Sequence, residues 1–334
     1  MKPLRIVHAV RSDSFAGVER YVSEVAGALS LLGHEVTVVG GDPTALCSAL
    51  PSAVRYRPAA TTGQVARELA RCGRPDVVHA HMSAAELAAV LTRPAHRAPV
   101  VATRHFAVRR GGNLIASAVT RTVARGLALE ISISQFVADA SGPGSLVLHN
   151  GVRDQPEGRD RERTVLVMQR LEPEKDTETA VRAFAASGLQ EQGWRLQVAG
   201  RGSQSDEVSA LANDLGVRVE LLGFVSEARA LLAVCGLLLA PAPAEPFGLT
   251  VVEAMASATP VVASAGGAHV ETVGSDGMLF PASDAQACAD LLRQAAEDVE
   301  SRIRCGRALR ARQERLFGLD RHVQALATAY RGLV

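Results

Sequence analysis

The chain has 334 residues, 47% of them hydrophobic and 21% charged, with a net charge of +1 at neutral pH. That length exceeds one ordinary core and suits two domains of about 150 residues each, and the composition excludes disorder and a coiled coil. Charge is uneven: residues 1–150 carry 16 Lys/Arg against 10 Asp/Glu, the remainder 20 against 25, a basic first half that suggests an anionic partner or surface but falls short of a nucleic-acid binder.

The chain opens as strand, loop and helix: Arg5–Val10, Arg11–Gly17, then Val18–Leu32 closed by Gly33. Strands at Glu35–Val39, Asp76–Ala80 and Val100–Thr103 follow, each of the last two after a helical stretch. Strands alternating with helices predict a parallel sheet covered on both faces. The pattern pauses at 153–163, a polar, Pro- and Gly-bearing stretch that reads as a linker. It restarts with strands at Thr164–Met168, Arg195–Ala199, Arg218–Leu221, Gly236–Ala240 and Pro260–Ala263. The division expected is 1–152, a linker over 153–163, a second domain over 164–308, and a C-terminal helical stretch over 309–334 that packs back across the linker. The fold class is α/β, two doubly wound Rossmann-like domains facing a central cleft, with the ligand site at the carboxyl ends of the strands.

The first residues lack the apolar run and cleavage site of a signal peptide. The longest apolar stretch, Leu231 to Ala244, is broken by Gly236, Pro241 and Pro243, so no transmembrane segment is expected. Five cysteines without a CxxC read as reduced thiols of a cytoplasmic protein.

Chemistry concentrates in Glu245-Pro-Phe-Gly-Leu-Thr-Val-Val-Glu253, which follows a strand and opens a helix. Gly248, Leu249 and Thr250 would present backbone N–H groups at the helix start, a seat for phosphate. Glu253, about one turn in, is placed to accept from ribose hydroxyls and Glu245 from sugar hydroxyls. Acid near a helix start is also what dipole matching alone produces.

The surrounding runs resemble retaining glycosyltransferases of family 4. Val165-Leu-Val-Met-Gln-Arg-Leu-Glu-Pro-Glu-Lys-Asp is similar to the first strand and loop of that family's C-terminal domain. Gln197-Val-Ala-Gly-Arg-Gly202, Leu222-Gly-Phe-Val225 and Pro260-Val-Val-Ala-Ser264, with Gly266, Gly267 and Glu271-Thr-Val273, follow in the family's order. The resemblance spans nearly the whole chain and is densest between Leu148 and Pro281. It implies the GT-B fold and assigns roles. Arg170 and Lys175 match the basic pair on the donor diphosphate, where charge collects as the glycosidic bond breaks. Glu245 matches the contact to the sugar's hydroxyls and Glu253 the ribose contact. Phe247, Gly248, Leu249 and Thr250 match the cradle for sugar and phosphate, and Val225 the base-contacting position. Ala16-Gly17-Val18-Glu19-Arg20 resembles the glycine-rich first loop, with Gly17 close to the diphosphate. Val101-Ala-Thr-Arg-His105 resembles the strand end whose histidine reaches the transferred sugar's 6-hydroxyl. Asn150-Gly151-Val152 matches a motif near the hinge. Three positions depart from the pattern: Ala16 and Gln169 replace glycines, and Arg153 stands where an acid is usual.

His79 and His81 form a His-x-His at a strand end. Read as alternating positions on opposite faces, they would not share one metal, and core or cleft lining is expected instead. No Asp-x-Asp ends a strand, so neither metal nor cofactor is expected, and the partner is a nucleotide sugar. The acceptor expected is a small sugar-like natural-product intermediate of a GC-rich bacterium, on the short N-terminal half and Ala/Arg-rich usage. The alternative is a lipid-linked acceptor, with peripheral membrane contact through the basic stretch 107–128. A dinucleotide oxidoreductase is excluded, because Arg-Ser-Asp-Ser-Phe-Ala-Gly stands where a Gly-x-Gly-x-x-Gly belongs. A sugar-nucleotide epimerase and a non-catalytic transferase subunit stay open; donor conversion without acceptor and donor hydrolysis by the chain alone discriminate them.

Overall fold

The computed structural model describes residues 2–12, 17–107, 121–159 and 161–334. It divides into two compact units: residues 1–151 with 319–334, and residues 152–318.

Unit 1 is built on a seven-stranded sheet ordered β3-β2-β1-β4-β5-β6-β7, every pairing parallel. Its strands are β1 (Arg5–Val10), β2 (Glu35–Gly40), β3 (Arg55–Arg57), β4 (Val77–His81), β5 (Val100–Arg104), β6 (Leu129–Ser132) and β7 (Leu146–Val147). The central strands are hydrophobic on both faces because helices cover both. Ile6, Val10, Val36, Val38, Val77 and Val101 pack with the helices Gly17–Leu31 and Leu319–Arg331. The alternate residues Val7, Ala9, Val39, Val78, Ala80 and Val100 pack with Thr62–Ala70 and Ser83–Leu91.

Unit 2 has six parallel strands ordered β10-β9-β8-β11-β12-β13. These are β8 (Thr164–Met168), β9 (Arg195–Ala199), β10 (Val219–Gly223), β11 (Leu237–Ala240), β12 (Val261–Ser264) and β13 (Met278–Phe280). Val165, Val167, Leu196, Val198, Leu237, Leu239 and Val262 meet Phe184, Val208 and Leu292 from three helices in one buried cluster. In both sheets the strand order reverses beside the first strand, the arrangement that opens a ligand crevice at the carboxyl ends.

Two boundaries differ from the sequence reading. Residues 152–163 belong to unit 2 rather than to a separate segment, with Val152 bridged to Gly318. No break falls at 309: one helix runs Val299–Leu316, and the chain leaves unit 2 only at Gly318. Helix propensity continues through Arg307-Ala-Leu-Arg-Ala-Arg312, so nothing local ends the helix before Phe317. The last helix, Leu319–Arg331, lies in the core of unit 1, where Leu319, Val323, Leu326 and Tyr330 are buried. No helix among the described residues is long and apolar enough to cross a membrane.

Candidate active site

In unit 2, the chain leaves β8 at Met168 and turns through Gln169–Lys175 into the helix Thr177–Ser187. Close backbone approach makes the turn. A Cβ on Gly200 would lie 1.8 Å from the Gln169 carbonyl oxygen, and one on Gly202 2.1 Å from that of Leu171. Glycine there lets Gln169 N–H donate to Ala199 C=O (3.0 Å) and Leu171 N–H to Arg201 C=O (3.0 Å). Gln169, in place of the family's glycine, donates from its side-chain amide to the Lys175 carbonyl (2.9 Å) and the Thr177 hydroxyl (3.0 Å). It braces the loop from inside. Lys175 Nζ then donates to Glu245 Oε2 at 2.6 Å, with side chains 16% and 17% exposed. Arg170 does not join them: it pairs at 2.6 Å with Glu174, both exposed.

Glu245 is fixed by its own backbone. A Cβ on Gly267 would lie 2.4 Å from both the N and O of Glu245, and Ala268 N–H donates to Glu245 C=O at 2.8 Å. Phe247 anchors the loop in the core, edge-on to Phe317 with ring centroids 5.9 Å apart. Gly248 (φ 83°) then starts the helix Leu249–Ala256. The first bond of its ladder is Val252 N–H to Gly248 C=O (3.1 Å), so the amides of Leu249, Thr250 and Val251 precede the ladder. Glu253 is buried one turn past Leu249. Val225 follows β10, in a turn tied to the same end of the sheet by Gly200 N–H to Gly223 C=O (2.8 Å). The structure thus gathers Lys175, Glu245 and Gly248, and leaves Val225 two strands from β8.

One neighbour escapes the sequence reading. His269 is buried, and its Nδ1–H donates to the Ser264 carbonyl at 3.2 Å. A Cβ on Gly248 would meet its Cδ2 at 3.1 Å and its Nε2 at 3.2 Å. Burial lowers its pKa, opposed by the Glu245 carboxylate.

In unit 1, His105 follows β5 and is 8% exposed. Gly17 opens the first helix; Ala16 and most of the basic stretch, residues 108–120, lie outside the described residues. His79 and His81 do not face opposite sides. Positions i and i+2 of a strand share a face, and their ring centroids are 4.3 Å apart. Register adds His8 opposite His79, and Thr103 opposite His81. Nitrogens of His8, His79 and His81 lie within 4.8 Å of one another, spacing that could hold a metal ion. Both nitrogens of His79 and of His81 are, however, engaged: His79 with Tyr330 Oη (2.6 Å) and Thr103 Oγ1 (2.7 Å), His81 with His8 Nδ1 (3.0 Å) and His105 Nε2 (3.1 Å). Beside them, Arg104 bridges Glu86 and, at 2.9 Å, Glu130. The Glu86 carboxyl is raised by burial, which outweighs the opposing pull of Arg104.

Two doubly wound parallel units of seven and six strands match solved GT-B structures. HepE of Anabaena with UDP-glucose aligns over 99% of this chain and 100% of its own at TM-score 0.83 and 22% identity. TarM aligns over 98% of each chain at TM-score 0.82 and 10% identity. The fold is GT-B. In sequence, the family model described as Glycosyltransferase Family 4 matches residues 15–152, and Glycosyl transferases group 1 matches residues 152–312. A phosphatidyl-myo-inositol mannosyltransferase of Mycolicibacterium smegmatis is 29% identical, over 92% of this chain and 87% of its own. A glycogen synthase of Mycobacterium tuberculosis is 28% identical, over 94% and 90%. The chain belongs to the GT4-type glycosyltransferases.

Proposed function

We propose that the chain transfers a hexosyl group, with retention and without a metal ion, from a nucleotide sugar to an acceptor hydroxyl. The observation that carries this reading is the Lys175–Glu245 pair beside the helix start at Gly248. An ammonium has three donors; one serves Glu245, leaving two for oxygens of the donor diphosphate. The amides of Leu249 and Thr250 take the phosphate, and Glu253 the ribose. Val225 contacts the base, with Phe224 beside it 70% exposed. The family resemblance gives Gly17 the diphosphate and His105 the transferred sugar.

In the reaction the acceptor oxygen bonds to the anomeric carbon from the leaving-group face. The bond from that carbon to the phosphate oxygen breaks, and the acceptor's proton passes to the departing phosphate. Negative charge grows on that phosphate, so Lys175 stabilises the transition state more than the ground state. Arg170, reaching from its surface pair with Glu174, adds a second, smaller share.

The acceptor on this reading is a small sugar-like natural-product intermediate. A lipid-linked acceptor is the second reading, favoured by the mannosyltransferase relative that spans 92% of the chain. The test is a thermal-shift screen against UDP, GDP, ADP and dTDP sugars, followed by transfer assays with soluble and lipid-linked acceptors. One donor class should raise the melting temperature by linkage. No shift with any of the four would overturn the donor assignment.

A further inference from the structure

The histidines of unit 1 form a directed chain. His8 Nδ1 meets His81 Nε2 at 3.0 Å, and His81 Nδ1 meets His105 Nε2 at 3.1 Å. His8 and His81 are fully buried and His105 nearly so. Burial pushes His8 and His105 down to about 3 and His81 well below its ordinary value, so each neutral ring carries one N–H. Two hydrogen bonds through three singly protonated rings permit only two arrangements. If His81 is protonated on Nδ1, it donates to His105, whose proton must then sit on Nδ1, and it accepts from His8 Nδ1–H. If His81 is protonated on Nε2, every bond reverses.

The buried end of the chain separates the two. His8 Nε2 is buried with no hydrogen-bond partner. In the first arrangement that atom is a bare nitrogen; in the second it is an N–H with no acceptor. Among buried backbone groups an orphaned N–H is rarer than an under-satisfied acceptor, and the same preference selects the first arrangement here. The nearby His79 cannot relieve it, since both its nitrogens are held by Tyr330 and Thr103. At the other end, His105 Nδ1 makes no hydrogen bond to any described residue.

We propose that His8 and His81 are positioning residues that fix the tautomer of His105, so that His105 presents an N–H donor at Nδ1 to an oxygen of the substrate. The substrate contact rests on the reading of His105 given under Proposed function; the tautomer does not. Tyr21 and His322 flank the chain without reversing it. His322 Nδ1–H donates to the His149 carbonyl (2.7 Å), so its Nε2 accepts from the Tyr21 hydroxyl (2.8 Å).

The first test reads the ligand-free chain. Long-range 1H–15N correlation of histidine-labelled protein should show His105 protonated on Nδ1 and His8 bare on Nε2; a proton on Nε2 of His105 overturns the proposal. The second compares two variants. His8→Asn keeps an N–H donor near the place of Nδ1, whereas His8→Phe keeps bulk and removes the donor. His8→Phe should mix the His105 tautomers and lower the kcat of donor cleavage about 10²-fold, the scale of losing one aimed donor. Its donor KM should rise as well, since a hydrogen bond to the bound sugar is made before the transition state as well as in it. His8→Asn should recover most of the rate. Equal rates in the two variants would defeat the positioning role. A donor thermal shift on the same samples separates the two failures: its loss in the parent chain removes the functional reading, while the imidazole spectrum still decides the tautomer.

Discussion

The two units solve the problem of placing polar chemistry at a strand end in opposite ways. Unit 2 carries it on loops. Lys175 and Glu245 are charged and partly exposed, held in place by glycine backbones pressed together at Gly200, Gly202 and Gly267. Unit 1 carries it on the strands themselves, as rings of His8, His79 and His81 sealed inside the sheet and stripped of charge. Loop charges suit a ligand that arrives with charge of its own, because its phosphates can exchange with existing carboxylate partners. Buried neutral rings cannot respond that way without a large desolvation cost, so they suit direction and shape.

The largest consequence is in acid. His8, His34, His79, His81, His96, His105 and His322 of unit 1 all have lowered pKa values, burial being the first cause of each. In unit 2 the one histidine, His269, is lowered too, and Glu172, lowered by its hydrogen bonds from Ser203, sheds stability only below the ordinary carboxylate range. A depressed histidine stabilises the fold above its unfolded pKa of about 6.5, and that stability drains as pH falls from there toward the folded value, because the unfolded chain binds more protons. Glu86, raised by burial, acts with the opposite sign but is a single group. Unit 1 should therefore lose its structure before unit 2 on acidification from pH 6.5 toward pH 3. The aromatic residues separate the units: the single tryptophan, Trp194, is in unit 2, and all three tyrosines, Tyr21, Tyr56 and Tyr330, are in unit 1. Hydrogen exchange resolved by unit, with Trp194 fluorescence alongside, checks the order. Simultaneous transitions, or Trp194 responding first, would break the contrast.

That asymmetry also governs what could be read from sequence. The sheets were legible where strands are central, since Ile6–Val10, His8 apart, and Val165–Val167 are apolar on both faces. The short strands Arg55–Arg57, Leu146–Val147 and Met278–Phe280 carry too few residues to show a period, and their pairing is set by neighbours instead. In unit 2 the loop residues stand within contiguous motifs, so Lys175, Glu245 and Gly248 could be named. Their pairing could not, because 70 residues separate Lys175 from Glu245. In unit 1 the chemistry is assembled by register across β1, β4 and β5, and no local run announces His8. Correct parity at His79 and His81 was the available signal: two histidines on one face ask what lies opposite on the neighbouring strand.

The second prediction sharpens the loop side of the comparison. Lys175→Ala should lower kcat by about 10²- to 10³-fold if the ammonium meets charge on the leaving phosphate. Arg170→Ala, removing an exposed cation already paired with Glu174, should cost less, about tenfold, as a side chain that must first leave a surface pair worth under about 1 kcal/mol. Rate measurements at saturating donor decide it. Equal losses in the two variants would mean that Arg170 leaves its surface pair to act as Lys175 does.

The smallest effect isolates the helix start. Gly33 in unit 1 and Gly248 in unit 2 have nearly the same backbone, φ 86° and 83°. A Cβ at Gly33 meets nothing within 4 Å, whereas one at Gly248 meets the His269 ring at 3.1 Å and Glu245 Cγ at 3.5 Å. Gly33→Ala should then cost only left-handed strain, about 1 kcal/mol, and leave the donor thermal shift intact. Gly248→Ala should carry the same strain and also push on His269 and on the carbon that aims the Glu245 carboxylate, so the donor shift should shrink as well. A helix of eight residues has no spare turn to absorb that displacement. If Gly248→Ala behaves as Gly33→Ala does, losing stability but binding donor as before, the helix start at Gly248 is a structural corner and the phosphate sits elsewhere in unit 2.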